Sequence, residues 1–276
     1  MANIFKMKKQ IDFAFLDSGT GGIPYMKELK KKNPDCSCVY LGDTAHFPYG
    51  EKSPEEVTSC ASTAISLIIE KWHPRTIVVA CNTISVTALD RLRSLFPSVP
   101  LVGTVPAIKL AAKISRNKRI GLLATNATVN HPYCRKLEKD FASDCQVFKR
   151  GDPSLISFIE NELWTSSRQE KLDAVKNAVD FFASKNCDTI VLGCTHFCHL
   201  ADIIQEAAGK DVFVVDSREG VANQALRVEK ESEENPALVC PSLQDMTFFV
   251  TKADSKQEKE YEELCRNLNI FWGGLV

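Results

Sequence analysis

The sequence contains two similar apolar stretches: TIVVACNT, from Thr76 to Thr83, and TIVLGCTH, from Thr189 to His196. Each reads as a short buried strand that ends in a small residue, a cysteine and polar side chains. Continuous apolar runs of this kind are typical of parallel sheets that helices cover on both faces. The repeated stretch therefore indicates an α/β protein whose two halves each carry a cysteine at the end of a central strand.

The rest of the chain alternates between short apolar runs and amphipathic segments. Helical spacing and helix-start signals, such as Ser53 followed by Pro54, mark the helices. Strands are predicted over residues 13–17, 38–43, 76–81, 99–104, 119–125, 146–150, 189–194, 211–217 and 246–251, and helices over 23–32, 53–72, 85–96, 106–114, 154–163, 168–186, 218–230 and 255–268. This alternation is typical of parallel βαβ units.

The strand-and-helix pattern runs through the chain twice. Asp17 and Thr125 each close the first strand of a half, and Cys81 and Cys194 follow them at similar distances along the chain. A chain of 276 residues is also longer than one core usually requires. We therefore predict two similar α/β domains with parallel-rich sheets flanked by helices: residues 1–104 with 217–276 as a discontinuous first domain, and 105–216 as the second.

Bulk composition is that of a globular protein, with 44% hydrophobic and 25% charged residues and a formal net charge of −1. No dense basic tract gives an electrostatic reason to expect nucleic acid. No apolar run is long enough to predict a membrane span, and the first residues lack a secretory signal pattern. Together with eleven scattered cysteines, these features predict reduced thiols in a cytoplasmic protein.

Two of the cysteines differ from the rest by position. Cys81 and Cys194 stand where an apolar strand stops, and open α/β sheets bind ligands beyond the carboxyl ends of their strands. A helix that begins there offers free N–H groups to a carboxylate and lowers the pKa of a thiol. Most others are expected to be small buried hydrophobic side chains: Cys36, Cys38, Cys60, Cys134, Cys145, Cys187, Cys240 and Cys265.

Two thiols on opposite sides of a cleft suit stereochemical inversion. One thiolate can remove a proton from a carbon while the other thiol delivers a proton to the opposite face. Such a site needs polar helpers for the ammonium and carboxylate groups that make the α-proton acidic. Asp17, beside the strand of Cys81, and His196, two residues after Cys194, are the candidates for these helpers.

Five stretches together resemble the glutamate racemases, cofactor-independent members of the aspartate/glutamate racemase group. They are DSGTGG (Asp17 to Gly22), GDTAHFPYGEKS (Gly42 to Ser53), ACNT-x-S (Ala80 to Ser85), LLATNATV (Leu122 to Val129) and LGCTH (Leu192 to His196). The resemblance implies two domains that face each other across an active-site cleft. It also implies interconversion of L- and D-glutamate without pyridoxal phosphate or a metal, as a source of D-glutamate for peptidoglycan. It leaves open whether the chain is a monomer or a homodimer.

The resemblance also assigns residues. Cys81 is expected to take the proton from D-glutamate and Cys194 from L-glutamate, assisted by Asp17 and His196. Asp43 and Glu160 are similar to further acidic residues that are tied to catalysis in the family. The expected substrate-binding residues are Asp17, Ser18, Tyr49, Gly50, Asn82, Thr83, Thr125, Thr128, Thr195 and His196.

Several of these residues also have a purely structural interpretation. Asp17 can cap the following helix, Tyr49 can pack as a turn aromatic, and Thr125 and Thr128 can satisfy a helix start. The SGTGG stretch after Asp17 matches neither the dinucleotide-binding nor the P-loop spacing, so nucleotide binding is not expected.

Two alternative functions remain open. An aspartate racemase of the same group would share the paired cysteines, although His196 after Cys-Thr and Ser85 after CNT-x are more similar to the glutamate branch. A zinc-binding regulatory module would instead use the ligand types in the stretch CTHFCH, namely Cys194, His196, Cys198 and His199.

Overall fold

A computed structural model of the protein describes residues 10–232 and 243–276. Within these ranges the strands are β1 (Phe13–Asp17), β2 (Cys38–Gly42), β3 (Thr76–Val79), β4 (Leu101–Gly103), β5 (Arg119–Ala124), β6 (Gln146–Gly151), β7 (Thr189–Leu192), β8 (Phe213–Val215), β9 (Thr247–Val250) and β10 (Phe271–Leu275). The α-helices are α1 (Ile23–Lys32), α2 (Pro54–Trp72), α3 (Asn82–Thr87), α4 (Leu89–Leu95), α5 (Ile108–Ile114), α6 (Asn126–Asn130), α7 (Pro132–Phe141), α8 (Pro153–Asn161), α9 (Arg168–Ser184), α10 (Ala201–Ala208), α11 (Arg218–Glu231) and α12 (Ser255–Leu268).

The strands form two parallel sheets. The first sheet has the order β10-β9-β2-β1-β3-β4, and the second has the order β6-β5-β7-β8. The two copies of the repeated stretch occupy equivalent places, because β3 pairs with β1 and β7 pairs with β5. The predicted α/β class, with parallel sheets flanked by helices, is confirmed.

Helices cover both faces of each sheet, which explains why the central strands β1, β3, β5 and β7 are largely apolar and buried. In the first sheet, α2 and α4 pack on one face around Leu16 and Ile77, while α1, α11 and α12 pack on the other around Phe15 and Val78. In the second sheet, α8, α9 and α10 cover one face, and α5 and α7 cover the other. The helices leave the carboxyl ends of the strands uncovered, and the polar residues at these ends are therefore accessible.

The predicted start of α2 is confirmed in detail. The Ser53 hydroxyl accepts a hydrogen bond from the N–H of Glu56, whose carboxylate accepts one from the N–H of Ser53, and Pro54 occupies the first turn. The single helix predicted over 85–96 is wrong. It begins earlier and breaks at Ala88 into α3 and α4, so that the Leu89 side chain packs directly against the backbone of Gly103.

The strand β10 was not predicted, because the two adjacent glycines of FWGGL argue against a strand. It lies at the edge of the first sheet, and its register with β9 shifts between Trp272 and Gly274. A side chain at Gly273 would collide with the ring of Phe249, so the glycine lets this aromatic ring cover the edge strand.

Two connections join the sheets, one after β4 and one after β8. Thr104 lies in the first connection and Ser217 in the second, and their hydroxyl oxygens are 2.8 Å apart. The hydroxyl of Tyr25 lies 2.9 Å from that of Ser217 and accepts a longer bond of 3.4 Å from Thr104. The predicted domain limits fall at these two connections. That residues 1–104 with 217–276 and residues 105–216 are separate domains stays a prediction.

The cysteines in the described part of the chain are free thiols, and most of them are buried. Cys60 and Cys145 are only partly buried, so the prediction of a buried position was wrong for these two. Cys240 lies outside the described residues. Among the helices that the structure describes, none has both the length and the apolar character needed to cross a membrane.

Candidate active site

A cavity of about 270 Å³ lies between the carboxyl ends of the two sheets. Its walls come from segments that follow β1, β2 and β3 in the first sheet and β5, β6 and β7 in the second. The predicted site residues that line it are Ser18, Tyr49, Gly50, Cys81, Asn82, Thr83, Thr125, Cys194, Thr195 and His196. The structure therefore brings together residues from both halves of the chain at one position.

The two cysteines of the repeated stretch face this same cavity from different sheets. Cys81 comes two residues after the end of β3, and Cys194 comes two residues after the end of β7. Both are almost fully buried, with exposed fractions of 5% and 4%. Each thiol is thus held at the end of a rigid buried strand, where it reaches the cavity but little bulk solvent.

Asp17 stands behind Cys81 and does not itself line the cavity. Its carboxylate accepts hydrogen bonds from the N–H of Ser18 at 2.7 Å and from the hydroxyl of Thr195 at 3.0 Å, and also one from the thiol of Cys81. The helix α1 begins at Ile23 without a side-chain cap, so Asp17 is not its cap. The carboxylate of Asp17 is instead positioned to interact with the thiol of Cys81.

Burial controls the ionisation of this pair. It raises the pKa of the Cys81 thiol well above its ordinary range, and the neighbouring charge of Asp17 raises that pKa further. Burial also raises the pKa of Asp17, although His196 opposes the effect. The expectation that a helix start lowers the pKa of this thiol is therefore wrong for Cys81, because desolvation outweighs the backbone hydrogen bond from Ile84.

Cys194 has a different partner. Its Sγ atom lies 3.6 Å from Nδ1 of His196, and Nε2 of the same ring lies 2.6 Å from Oε1 of Glu160. Glu160 also accepts hydrogen bonds from the N–H and the hydroxyl of Thr20, at 2.7 and 2.8 Å. Cys194 thus ends a chain of contacts that runs through an imidazole to a buried carboxylate.

The imidazole and the carboxylate stabilise each other's charge. Burial alone would lower the pKa of His196, but its contacts with Cys194 and Glu160 raise that pKa well above the ordinary value. Burial would likewise raise the pKa of Glu160, but the contacts with His196 and Thr20 lower it overall. The structure therefore supports a protonated His196 beside an ionised Glu160 near neutral pH.

The remaining walls are rich in neutral hydrogen-bonding groups. Asn82 is 2% exposed, and neither its amide oxygen nor its amide nitrogen has a hydrogen-bond partner among the described residues. Because buried polar atoms are rarely left unpaired, these atoms indicate a polar ligand. The Thr83 hydroxyl meets the Thr125 hydroxyl at 3.2 Å, which links the two walls across the cavity.

Thr128 lies behind Thr125. Its N–H donates to the Thr125 hydroxyl at 3.0 Å, and its own hydroxyl accepts from that group at 2.9 Å. Thr128 does not line the cavity. The structural interpretation as a helix start therefore holds for both threonines, since Thr125 caps α6, while Thr125 lines the cavity as well.

Asp43 also lies outside the cavity wall, where it fixes Tyr49. The Tyr49 hydroxyl donates to Oδ2 of Asp43 at 2.5 Å, and the Thr251 hydroxyl donates to Oδ1 at 2.8 Å. Tyr49 thus presents its ring to the cavity while its hydroxyl is engaged elsewhere. The next residue, Gly50, leaves room for the close approach of Thr125, because a Cβ atom there would lie only 3.2 Å from the threonine.

Several lining residues were not found from the sequence. They are Phe47, Pro48, Glu51, Asn126, Pro153, Ile156 and Ser157. Three of them belong to the first turns of α8, which follows β6. The sequence did contain a signal for these residues, since every strand of a parallel sheet brings the segment that follows it to the carboxyl end of the sheet, where ligands bind. Among the described lining residues there is no lysine or arginine.

The four potential zinc ligands of CTHFCH do not converge. Cys194 and His196 line the cavity, whereas His199 lies 3.0 Å from the carbonyl oxygen of Thr20 and Cys198 lies 4.0 Å from the hydroxyl of Tyr25. In residues 10–232 and 243–276, no group of three or more His, Cys, Asp or Glu side chains is placed to hold a metal ion. The side-chain directions therefore contradict the zinc-module alternative.

Comparisons with known proteins agree with this geometry. The model of the Asp/Glu/Hydantoin racemase family matches residues 25–225. A glutamate racemase of Treponema pallidum is 36% identical over 274 residues, which is 98% of each chain. The structure of Escherichia coli glutamate racemase with L-glutamate and the activator UDP-MurNAc-Ala has a TM-score of 0.84 at 30% identity, covering 96% of this chain and 98% of that one. The structure of Francisella tularensis glutamate racemase with D-glutamate has a TM-score of 0.73 at 25% identity, covering 97% of each chain.

The fold and these relatives define an enzyme of the amino-acid racemase class. Two parallel sheets meet at their carboxyl ends, and each contributes one thiol to the cavity between them. The chain belongs to the Asp/Glu/Hydantoin racemase family.

Proposed function

We propose that this protein interconverts L- and D-glutamate with two thiols as its acid and base. The observation that carries the proposal is that Cys81 and Cys194 line one small cavity, each from the end of a strand of a different sheet. Inversion at a carbon needs proton removal on one face and proton delivery on the other. A single thiol at the end of a buried strand reaches one face of a bound carbon, and the second thiol supplies an acid or base for the other face.

The proton balance of the reaction is simple. With L-glutamate bound, the Cys194 thiolate takes the α-proton and becomes a thiol, while the Cys81 thiol gives its proton to the other face and becomes a thiolate. With D-glutamate bound, the two groups exchange roles. The assignment of each thiol to one enantiomer follows the family resemblance, and no further redox or transfer partner is needed for the atoms to balance.

The two thiols have different helpers. A protonated His196, 3.6 Å from the sulfur of Cys194, stabilises a thiolate there by its charge. Cys81 instead donates a hydrogen bond to Asp17, and the high pKa of this thiol favours its protonated form. Before substrate binds, Cys81 is therefore a protonated thiol, and Cys194 lies beside the imidazolium of His196.

Neutral donors suit a substrate that must be held in both configurations. The hydroxyl groups of Ser18, Thr83 and Thr125 and the amide of Asn82 can bind the carboxylates of glutamate without a fixed cation. The cavity volume of about 270 Å³ matches a single small amino acid. The solved Escherichia coli and Francisella relatives are described with L-glutamate and D-glutamate, which supports glutamate as the substrate of this chain.

We infer that the reaction requires no cofactor and supplies D-glutamate for peptidoglycan from the cytoplasm. Aspartate is the alternative substrate. Its side chain is one methylene shorter, and such a difference in a pocket typically changes specificity by roughly 10–200-fold.

A deuterium experiment tests the proposal. The purified protein is incubated in deuterium oxide with L-glutamate or L-aspartate, without added cofactor and with or without a chelator, while optical rotation and α-deuterium are followed. We expect glutamate to lose its rotation and gain deuterium at Cα in both chelator conditions. Retention of rotation and proton by glutamate would refute the proposal, and faster loss with aspartate would favour the alternative substrate.

A further inference from the structure

The SGTGG loop between β1 and α1 (Ser18 to Gly22) resembles a phosphate loop in composition, yet it binds a carboxylate of the protein itself. The N–H of Thr20 donates to Oε1 of Glu160 at 2.7 Å, and its hydroxyl donates to the same oxygen at 2.8 Å. Glu160 is 140 residues away in the sequence and lies in α8, which packs on the second sheet. This oxygen also lies 2.6 Å from Nε2 of His196.

The two glycines beside Thr20 make room for this pair. A Cβ atom at Gly19 would lie 2.5 Å from Oε1 of Glu160, and a Cβ atom at Gly21 would lie 2.5 Å from Nδ1 of His196. Both contacts are too short for a side chain. The loop backbone therefore fits against the carboxylate on one side of Thr20 and against the imidazole on the other.

The loop itself is held from behind. The Tyr40 hydroxyl donates to the carbonyl oxygen of Gly19 and accepts from the N–H of Gly22, each at 2.9 Å. Nε2 of His199 lies 3.0 Å from the carbonyl oxygen of Thr20. Because burial lowers the pKa of His199 to about 4, this ring is neutral and donates an N–H to that carbonyl. Thr20 is thus fixed at its carbonyl, while its N–H and hydroxyl remain directed at Glu160.

We propose that Thr20 is a positioning residue for the racemisation, which holds the Glu160 carboxylate against His196 and so orients the imidazole that faces Cys194. The proposal rests on the proposed function of the site. The hydroxyl is the informative group, because any residue except proline at position 20 would supply the N–H. Its effect passes from Thr20 to Glu160, then to His196, and only then to the reacting thiol.

A pH dependence follows from the same contacts. The titratable group in contact with Glu160 is His196, and those near enough to feel its charge are His199 from the segment after β7, Tyr40 from β2 and Tyr261 from α12. Of these, His196 is the group that stabilises the ionised carboxylate, together with Thr20. Loss of the Thr20 hydroxyl removes a donor to the anion, so the pKa of Glu160 rises and protonation disrupts the pair at a higher pH.

The Thr20→Val variant removes the hydroxyl and keeps the shape. We expect kcat/KM to fall roughly tenfold, the size of one hydrogen bond to a charged group. Because the enantiomers have equal free energy, the fall must be the same in both directions. The acid limb of the kcat/KM profile is expected to move to higher pH. Thr20→Ser should restore most of the lost activity and the position of the limb.

Two controls make the result decisive. Thr63→Val, on the exposed surface of α2, is the matched substitution and should behave as the unsubstituted protein. In a Glu160→Gln background, Thr20→Val should cause little further loss of kcat/KM, since the two residues act through the same series of contacts. If Thr20→Val proves too unstable to measure, Thr20→Ala carries the same expectations.

An unchanged acid limb and unchanged kcat/KM in Thr20→Val would overturn the proposal. So would an equal additional loss in the Glu160→Gln background, or a failure of Thr20→Ser to recover activity. These outcomes presuppose turnover by the unsubstituted protein. A protein that leaves glutamate unchanged refutes the racemase function itself, so the two failures are distinguishable.

Discussion

The hydroxyl of Thr195 donates a hydrogen bond to the carboxylate of Asp17, with 3.0 Å between Oγ1 and Oδ2. Thr195 follows β7 in the second sheet, and Asp17 ends β1 in the first. Since Thr195 is the neighbour of Cys194 and Asp17 is hydrogen-bonded to Cys81, this contact connects the surroundings of the two thiols. The two walls of the cavity are therefore coupled by a bond between buried groups.

Removal of this bond should weaken both stability and activity. In Thr195→Val, the fully buried Asp17 loses a donor, which is expected to lower the free energy of unfolding by about 1–3 kcal/mol. Urea unfolding measures this change, and kcat/KM with each enantiomer measures the effect on the site. Thr195→Ser keeps the hydroxyl and serves as the control. Equal stabilities of the valine variant and the unsubstituted protein would show that the bond is not formed in solution.

Replacement of either cavity thiol should stop the reaction in both directions. Each sulfur is the base in one direction and the acid in the other, so neither Cys81→Ser nor Cys194→Ser retains a complete route. We expect a loss of at least about a thousandfold in kcat for both enantiomers, in the range of general acid–base contributions. Optical rotation measures the rate. Cys145→Ser, outside the cavity, is the matched control, and substantial turnover by either cavity variant contradicts the two-thiol reaction.

Asp17→Asn should make the Cys81 thiol more acidic. After burial, the charge of Asp17 is the next cause that raises the pKa of this thiol, so its removal lowers that pKa. The pH dependence of alkylation by iodoacetamide, with Cys81 followed by peptide mass spectrometry, should shift to lower pH. Asp90→Asn, on the surface of α4, should leave the curve in place. A shift of the Asp17→Asn curve to higher pH would contradict this interpretation of the pair.

The contact between His196 and Glu160 should stabilise the fold within a limited pH window. The pKa of Glu160 is lowered from 4.5, so its contribution is present above that value and is lost as pH falls through the folded-state pKa. The pKa of His196 is raised above 6.5, so its contribution is present below 6.5 and is lost as pH rises through the folded-state pKa. Both contributions are complete only between these two ordinary values.

The measurement compares unfolding free energies of the unsubstituted protein and His196→Gln from pH 4 to pH 9. The destabilisation by the substitution should be largest between about pH 4.5 and 6.5 and should shrink on either side. Lys176→Gln, whose ion pair with Asp180 is exposed, should show no such window. A destabilisation that is constant across the whole range would mean that the ring contributes packing alone.

Much of the fold could be predicted because its signals are local. The apolar runs of β3 and β7 require burial on both faces, and the capping box at Ser53 fixes the start of α2 from four adjacent residues. The break at Ala88 and the edge strand β10 escaped prediction because tertiary contacts decide them. Leu89 packs on Gly103, and Phe249 covers Gly273, neither of which is visible in the local pattern.

The candidate active site, like the fold, could be predicted only in part. Cys81 and Cys194 were placed together from the sequence, because their strands end at equivalent edges of two sheets. The helix start at Thr125 and Thr128 was visible in the sequence. The sequence could not reveal that Asp17 stands behind Cys81 or that Asp43 acts on Tyr49. These relationships depend on side-chain direction at the ends of strands. Contacts between distant segments, such as that of Thr20 with Glu160, have no periodic signal at all.

The meeting of Tyr25, Thr104 and Ser217 has a mechanical consequence. Both passages of the chain between the sheets touch at these three hydroxyl groups, none of which lines the cavity. Because Tyr25 and Thr104 are buried, a hydroxyl group that lost its partner here would be left unpaired away from water, which costs free energy. The contact of these three groups thus ties the two passages of the chain to each other at a point away from the cavity.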